Sequence, residues 1–189
     1  MVEVALAIAV GGAILRGLAV VGAMFRTALN WKRFVRFKLG WVECLTLLEP
    51  FLLLACAWRY LAQTPPAPSA LAAWAGALLV LAGWALIVWT YLSWPSIYAG
   101  HAVLEDHELI TSGAYGKVRH PVYLACVAIW AGLALGSWSL GTLLVTALYV
   151  VPAYHLYARS EEEMMLEAFG DEYRRYCQRV PMWLPHTAS

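Results

Sequence analysis

Charged residues are scarce in this chain. Lysine and arginine number 13 and aspartate and glutamate 12 among 189 residues, so 13% of the chain is charged, whereas soluble domains carry about 25%. With a net charge of +1 the chain lacks the basic excess of nucleic-acid-binding domains, so we expect no nucleic-acid partner. Its four cysteines form neither a CxxC motif nor a cluster with histidine, which argues against a disulfide framework and a metal site.

Apolar residues, in contrast, are abundant. They make up 62% of the chain, and the mean hydropathy is +0.64. They do not alternate with polar residues as they would in a membrane β-barrel. A helix needs roughly 20 residues to cross a bilayer. Five apolar stretches have about this length: residues 2–25, 41–62, 70–92, 121–136 and 139–157. The fourth is the shortest. The sequence therefore predicts an all-α, polytopic membrane bundle of about five transmembrane helices.

Basic residues are distributed unevenly between the connecting segments. The loops at residues 63–69 and 136–139 contain no lysine or arginine. Because cytosolic loops are enriched in basic residues, this asymmetry predicts an integral membrane protein with its N-terminus outside and its C-terminus in the cytosol. The basic residues that carry the prediction are Arg26, Lys32, Arg33, Arg36, Lys38, Lys117, Arg119, Arg159, Arg174, Arg175 and Arg179.

A few polar and small residues inside the apolar stretches bear on helix packing. Arg16 and Glu49 lie at nearly equal depths from the same ends of their helices, so they can pair within the bundle. Snorkelling of Arg16 to the interface is the alternative. Gly132 and Gly136 form a GxxxG pair, which allows close helix approach within the bundle or in a homo-oligomer.

The C-terminal segment has a different pattern. From residue 159 onwards apolar residues recur at helical spacing among charged ones, which predicts amphipathic helices on the cytosolic side that rest on the membrane surface or on the bundle. Gly170 followed by Asp171 predicts a break between two short helices. Tryptophans near helix ends, including Trp94 and Trp183, are expected to anchor the chain at the interface.

Two polar clusters flank the last two predicted helices. The triplet Arg-His-Pro opens the fourth helix, and "RSEEE" (159–163) closes the fifth. The short turn between these helices makes them antiparallel neighbours, so Arg119 and His120 are expected to lie near Glu161 and Glu162. For the Arg-His-Pro triplet the alternative is a charged collar at the membrane interface. For the glutamates it is a solvated acidic turn.

The triplet alone favours a charged collar at the interface, but together with the glutamates it can bind a ligand. Pro121 suits the first position of a helix, which places His120 at the N-cap. The helix dipole and Arg119 favour an anionic group, while the glutamates favour an ammonium. Tyr115 and Tyr123 offer ring faces to a cation. Together these residues suit a zwitterionic ligand with a cationic centre.

Two longer stretches of the sequence resemble a known protein family. The order "HELITSGAYGKVRHPVY" (107–123) followed by "EEEMMLEAFGDEYRRYCQRVPMWLP" (161–185) resembles the C-terminal half of the isoprenylcysteine carboxyl methyltransferase family and its phospholipid N-methyltransferase relatives. The resemblance covers residues 95–185. It implies a membrane methyltransferase that uses S-adenosylmethionine, with a scaffold at 1–92 and a cofactor-binding catalytic region at 93–189.

The resemblance and the two clusters also name the residues of the site. We expect Arg159, His120 and Glu162 to be catalytic, and no residue to hold a metal. Family members commonly place an arginine where this chain has Tyr157, so Arg159 is expected to replace it, and a frequent glycine is replaced by Ala125. The expected cofactor-binding residues are His107, Glu108, Leu109, Ile110, Tyr115, Arg119, His120, Pro121, Val122, Tyr123, Glu161 and Glu162.

The expected chemistry is methyl transfer from a sulfonium, a direct displacement that depends on alignment more than on acid–base catalysis. A carboxylate or thiolate acceptor needs no base, whereas an amine or hydroxyl would use His107 or His120. Pro152 is expected to kink the fifth helix and open a lateral path for a lipophilic or lipid-anchored acceptor from the bilayer. An NADPH-dependent sterol-reductase-like enzyme and a non-catalytic lipid-binding protein are the alternatives.

Overall fold

A computed structural model of the chain describes residues 1–29, 34–37, 40–63, 68–94, 102–104 and 108–184. Within these residues the chain is predominantly helical, as predicted. A two-stranded antiparallel ribbon pairs Phe34–Phe37 with Ala102–Leu104, and the sequence did not predict it. The elements in chain order are α1 (Val2–Leu29), β1 (Phe34–Phe37), α2 (Trp41–Ala62), α3 (Ala70–Ser93), β2 (Ala102–Leu104), α4 (Pro121–Gly136), α5 (Leu140–Phe169) and α6 (Asp171–Arg179).

Four of these helices are long and apolar enough to cross a membrane, namely α1, α2, α3 and α5. The predicted fourth span, α4, is also apolar but has 16 residues, which corresponds to about 24 Å, less than the roughly 30 Å of a hydrocarbon core. The helix begins at Pro121 because proline fits its first position, and Gly136 is its last residue. The site described below lies at the start of this short helix.

α3 and α4 pack closely because glycines face each other along their contact. A Cβ on Gly76 would lie 2.6 Å from the carbonyl oxygen of Gly132, and one on Gly132 would lie 2.7 Å from the carbonyl oxygen of Gly76. Gly83 faces Ala125 and Ile129 in the same way, so the two helices are antiparallel. The predicted GxxxG pair therefore packs within the bundle.

α5 packs antiparallel to α2 and contains an irregular turn. Residues Thr146–Val150 are π-helical, directly before Pro152, which cannot donate a backbone hydrogen bond. The Tyr149 hydroxyl donates to the carbonyl of Leu45, and the Ser160 hydroxyl lies 3.1 Å from Oε1 of Glu43. A π turn thus precedes Pro152 within one continuous helix, and the expected kink and lateral path stay a prediction.

The buried interior contains the predicted pair of Arg16 and Glu49. Both residues are at most 2% exposed, and their side chains form an ion pair. Arg16 also donates to the Cys126 sulfur at 2.9 Å and to the Tyr154 hydroxyl at 2.6 Å, while Trp130 donates to the second oxygen of Glu49. Arg16 therefore does not snorkel to the interface.

The C-terminal segment forms one short helix rather than the two that were predicted. The residues up to Phe169 continue α5, because that helix runs without interruption past the glutamates. Gly170, with φ of +53°, then reverses the chain and is itself the N-cap of α6. Tyr173 and Tyr176 of α6 are buried and pack with Leu109 and Met165, so this face rests on the protein.

Candidate functional site

The segment before α4 is held against the end of α3. A single 3₁₀ turn, Gly113–Gly116, follows Ser112, and Gly113 adopts φ of +60°. A Cβ at Gly113 would lie 2.2 Å from the Ser93 oxygen, so the close approach requires glycine. The Ala114 N–H donates to that same oxygen at 3.0 Å. These contacts bring Tyr115 and the Arg-His-Pro triplet to the start of α4.

The predicted neighbours are in contact across α4 and α5. Arg119 Nε donates to Oε1 of Glu162 at 2.7 Å. His120, which is the N-cap of α4, contacts Glu162 through Nε2 at 3.0 Å and Glu161 through Nδ1 at 3.3 Å. The two cations are thus paired directly with the two carboxylates.

Tyr123 links these groups to the interior. Its hydroxyl donates to Oε2 of Glu161 at 2.7 Å. Its ring stacks on His120, with 5.4 Å between centroids, and on Tyr154 at 5.3 Å. The ring of Tyr157 approaches it edge-on at 5.4 Å. Tyr123 is therefore fixed on several sides.

The chain after α6 closes over the start of α4. Arg119 Nη1 donates to the carbonyls of Cys177 at 3.1 Å and Val180 at 2.7 Å, and its backbone N–H donates to the carbonyl of Pro181 at 2.9 Å. Trp183 then lies between His120 and His155, with centroid distances of 5.9 and 6.1 Å. Trp183, expected as an interfacial anchor, thus contacts the site.

These elements enclose a cavity of about 140 Å³. Its wall combines the Glu161 carboxylate, the Arg119 guanidinium and the His120 imidazole with aromatic rings and apolar side chains. Nine of the predicted cofactor residues belong to it: Leu109, Ile110, Tyr115, Arg119, His120, Pro121, Val122, Tyr123 and Glu161.

Other predicted residues lie elsewhere. His107 is outside the described residues, and Glu108 is exposed and does not line the cavity. Glu162 is not in the wall, but it holds Arg119 and His120 behind it. Arg159 is exposed and outside the wall, because it precedes Glu161 by about 200° of helical rotation. Glu163 is also exposed, so of the three glutamates only Glu161 faces the cavity.

Five lining residues were not expected to line the site: Trp94, Tyr157, Met165, Tyr173 and Tyr176. Tyr157 and Met165 lie one turn before and one turn after Glu161 on the same face of α5, a spacing that identifies them once Glu161 is known to face inward. Tyr173 and Tyr176 carry the apolar periodicity of α6, but periodicity does not indicate which partner a helix face covers.

The cavity wall carries charges of both signs, and its Glu161 carboxylate and neutral rings can receive a cationic group. Burial lowers the pKa of His120, but its hydrogen bonds to Glu161 and Glu162 outweigh this effect and raise the net pKa above the ordinary value. Burial raises the pKa of Tyr115 and of Tyr173, so both phenols stay neutral at physiological pH. Neutral rings and a carboxylate together attract a cation with an apolar body.

The chain is similar to known methyltransferases. Methanethiol S-methyltransferase 1 of Bradyrhizobium diazoefficiens is 41% identical over 76 residues, which are 40% of this chain and 25% of that protein. Protein-S-isoprenylcysteine O-methyltransferase of Schizosaccharomyces pombe is 35% identical over 85 residues, or 43% of this chain and 34% of that protein. The Homo sapiens protein of the same name is 33% identical over 90 residues, or 43% and 28%.

The alignments thus span about a quarter to a third of the length of these relatives. A family model described as phospholipid methyltransferase matches residues 71–172, from α3 to the start of α6. This match includes the start of α4 and the glutamates of α5, the two halves of the cavity wall. Because it covers more than half of the chain, the chain belongs to the phospholipid methyltransferase family.

Proposed function

We propose that this chain is an integral membrane methyltransferase that transfers a methyl group from S-adenosylmethionine to a lipophilic acceptor. The observation that carries the proposal is the cavity wall, in which the Glu161 carboxylate stands among five tyrosines and a tryptophan. Family membership implies a methyl donor, and the names of the relatives support methyl transfer.

The residues of the wall fit S-adenosylmethionine, which when bound supplies an electrophilic methyl group on a sulfonium. Glu161 would accept the ammonium of its amino-acid end. Tyr115, Tyr123 and Tyr157 would offer ring faces to the cation. Leu109, Ile110 and Val122 supply apolar surface for the purine.

The chain's own contribution is alignment and exclusion of water. Glu162 and Arg119 hold the start of α4 against α5, which keeps His120 and Tyr123 in the wall. No general base is required for a thiolate or carboxylate acceptor, whereas an amine acceptor would need one. Both ring nitrogens of His120 contact carboxylates, so this histidine is better suited to holding the site than to accepting a proton. Arg159, which is exposed on α5, would meet the acceptor outside the cavity wall.

The acceptor is expected to arrive from the bilayer. The relatives are named for methanethiol and for isoprenylcysteine, a small thiol and a lipid-anchored carboxylate. We infer from the basic residues of the loops that the site and the C-terminus lie on the cytosolic side, where a polar methyl donor is available. The reductase alternative has less support, because the matching family model and the relatives are named as methyltransferases.

Calorimetric titration of the purified protein with S-adenosylmethionine and S-adenosylhomocysteine tests the proposal. The wild type should bind both, and Glu161→Gln should bind about tenfold more weakly because the ammonium loses a charged partner. Glu163→Gln is the matched control, since Glu163 is exposed two positions further along α5, and should bind like the wild type. A folded wild type that binds neither ligand would contradict the proposal.

Transfer itself is tested by incubating the protein with methyl-labelled donor and a membrane extract. A labelled product of low polarity is expected, and its identity names the acceptor class. Label that appears only in water-soluble products would contradict the lipophilic acceptor. Quenching of tryptophan fluorescence by NADPH, without binding of S-adenosylhomocysteine, would support the reductase instead.

A further inference from the structure

The two halves of the site lie on α4 and α5, which contact each other and each of which also packs on a further helix. α4, with His120 at its N-cap, packs on α3 through facing glycines. α5, with Glu161, packs on α2 and is tied to it by Tyr149. The geometry of the site therefore depends on what joins the α3–α4 pair to the α2–α5 pair.

Arg16 of α1 joins the two pairs. Its side chain is 2% exposed and forms an ion pair with Glu49 of α2. The same guanidinium donates to Cys126 of α4 at 2.9 Å and to Tyr154 of α5 at 2.6 Å. One side chain thus contacts α4 and α5, the two helices of the site, and also α2, which packs on α5.

This arrangement is costly if its role is stability alone. A buried charged pair is commonly no more stabilising than apolar residues of the same volume, and within a bilayer the cost of charge is higher. The buried Nε of Arg16 has no hydrogen-bond partner among the described residues, which adds to that cost. Fixing the relative position of helices is the best-attested use of such groups.

A stack of aromatic rings connects Arg16 to the cavity. Arg16 holds the Tyr154 hydroxyl, and the Tyr154 ring stacks on Tyr123 at 5.3 Å with an interplanar angle of 18°. Tyr123 stacks in turn on His120 at 5.4 Å and 11°, and its hydroxyl donates to Glu161 at 2.7 Å. The stack ends at groups that line the cavity.

We propose that Arg16 is a positioning residue of the site: by holding the Tyr154 hydroxyl it fixes the ring stack that sets Tyr123 against Glu161. Arg16 lies outside the segment matched by the family model, so the role belongs to this chain's N-terminal helices. The link to methyl-donor binding rests on the proposed function, whereas the effect on His120 and Glu161 does not.

A double-mutant cycle on S-adenosylhomocysteine affinity is the first test. Tyr123→Phe keeps the stacked ring and removes only the bond to Glu161. Arg16→Gln should weaken binding about tenfold in the wild type and less than about threefold in the Tyr123→Phe background. Equal losses in both backgrounds would overturn the proposal. Arg59→Gln, an exposed arginine on α2, is the control and should bind normally.

Tyr154→Phe keeps the experiment decisive if Arg16→Gln does not fold. It removes the hydroxyl that Arg16 holds but leaves the ion pair with Glu49 and the stacked ring. It should reproduce the pattern of Arg16→Gln with a smaller loss, again only while the Tyr123 hydroxyl is present. Unchanged affinity for Tyr154→Phe would overturn the proposal.

A titration of His120 by NMR in the ligand-free protein separates this inference from the proposed function. The groups that face the imidazole are Arg119, Glu161, Glu162 and Tyr123. Tyr154→Phe leaves all of these and the Arg16 charge in place, yet it should lower the titration midpoint because Glu161 is held less firmly. An unchanged midpoint would overturn the inference, whether or not the wild type binds S-adenosylhomocysteine.

Discussion

His120 lies between the two carboxylates of the site. Its net pKa is raised in the folded protein because the contacts with Glu161 and Glu162 outweigh the effect of burial. A raised pKa means that the charged imidazole stabilises the fold. This stabilisation is fully present below the ordinary histidine value and is lost as the pH rises through the folded value.

His120→Gln should therefore remove a pH-dependent part of the stability. Glutamine can still donate a hydrogen bond to a carboxylate but does not titrate. In thermal unfolding of the detergent-solubilised protein, the variant should melt a few degrees below the wild type near pH 6, and the difference should shrink towards pH 9.

His155→Gln is the matched control for this titration, since the His155 ring contacts Trp183 and lies on the exposed side of α5. Its melting temperature should follow that of the wild type at every pH. A difference between wild type and His120→Gln that grows with rising pH would contradict the assigned sign.

The contact between α3 and α4 depends on the absence of side chains. Gly132 lies against the Gly76 carbonyl and Val80, with backbone atoms within 3.0 Å of where a Cβ would be. Backbone cannot move aside as a flexible side chain can, so any added atom separates the helices. Because His120 and Pro121 begin α4, this separation also displaces one half of the cavity wall.

Gly132→Ala should destabilise the protein by about 1 to 3 kcal/mol, the usual cost of overpacking. The measurement is equilibrium unfolding in mixed detergent micelles. Gly11→Ala in α1 is the control, because no atom lies within 4 Å of its Cβ position, and alanine there should be neutral or stabilising by up to about 1 kcal/mol. Equal effects of the two substitutions would contradict the close contact.

The molecule as a whole has two ends that differ in composition. One end contains the N-terminus, the end of α2, the start of α3 and the turn before α5. The opposite end contains the cavity, α6 and the basic residues Arg119, Arg174 and Arg175. The positive-inside rule predicts that this second end is cytosolic.

Single added cysteines test this orientation in intact cells. Gln63→Cys, after α2, should react with a membrane-impermeant thiol reagent from outside. Arg174→Cys, exposed on α6, should react only after the membrane is permeabilised. The chain with its native cysteines alone gives the background, and the reverse pattern of labelling would contradict the prediction.

Much of the fold follows from local composition. α2 and α4 begin and end where the apolar stretches do, because a lipid-facing backbone must satisfy its own hydrogen bonds and so forms helix throughout an apolar run. The meeting of His120 with the glutamates also follows, since a short turn between two helices makes them antiparallel neighbours.

Local composition did not predict which helix faces are neighbours across the bundle. Hydropathy reports which residues are apolar but not which helix each face covers. The aromatic wall from α6 and the contacts that run from Arg16 through Tyr154 to Tyr123 therefore emerged only from the packed bundle. The sequence alone indicates where the helices lie along the chain, because each apolar segment prefers lipid to water. The shape and charge of the cavity follow from the tertiary structure instead, because they depend on how the helices are rotated and packed against distant segments.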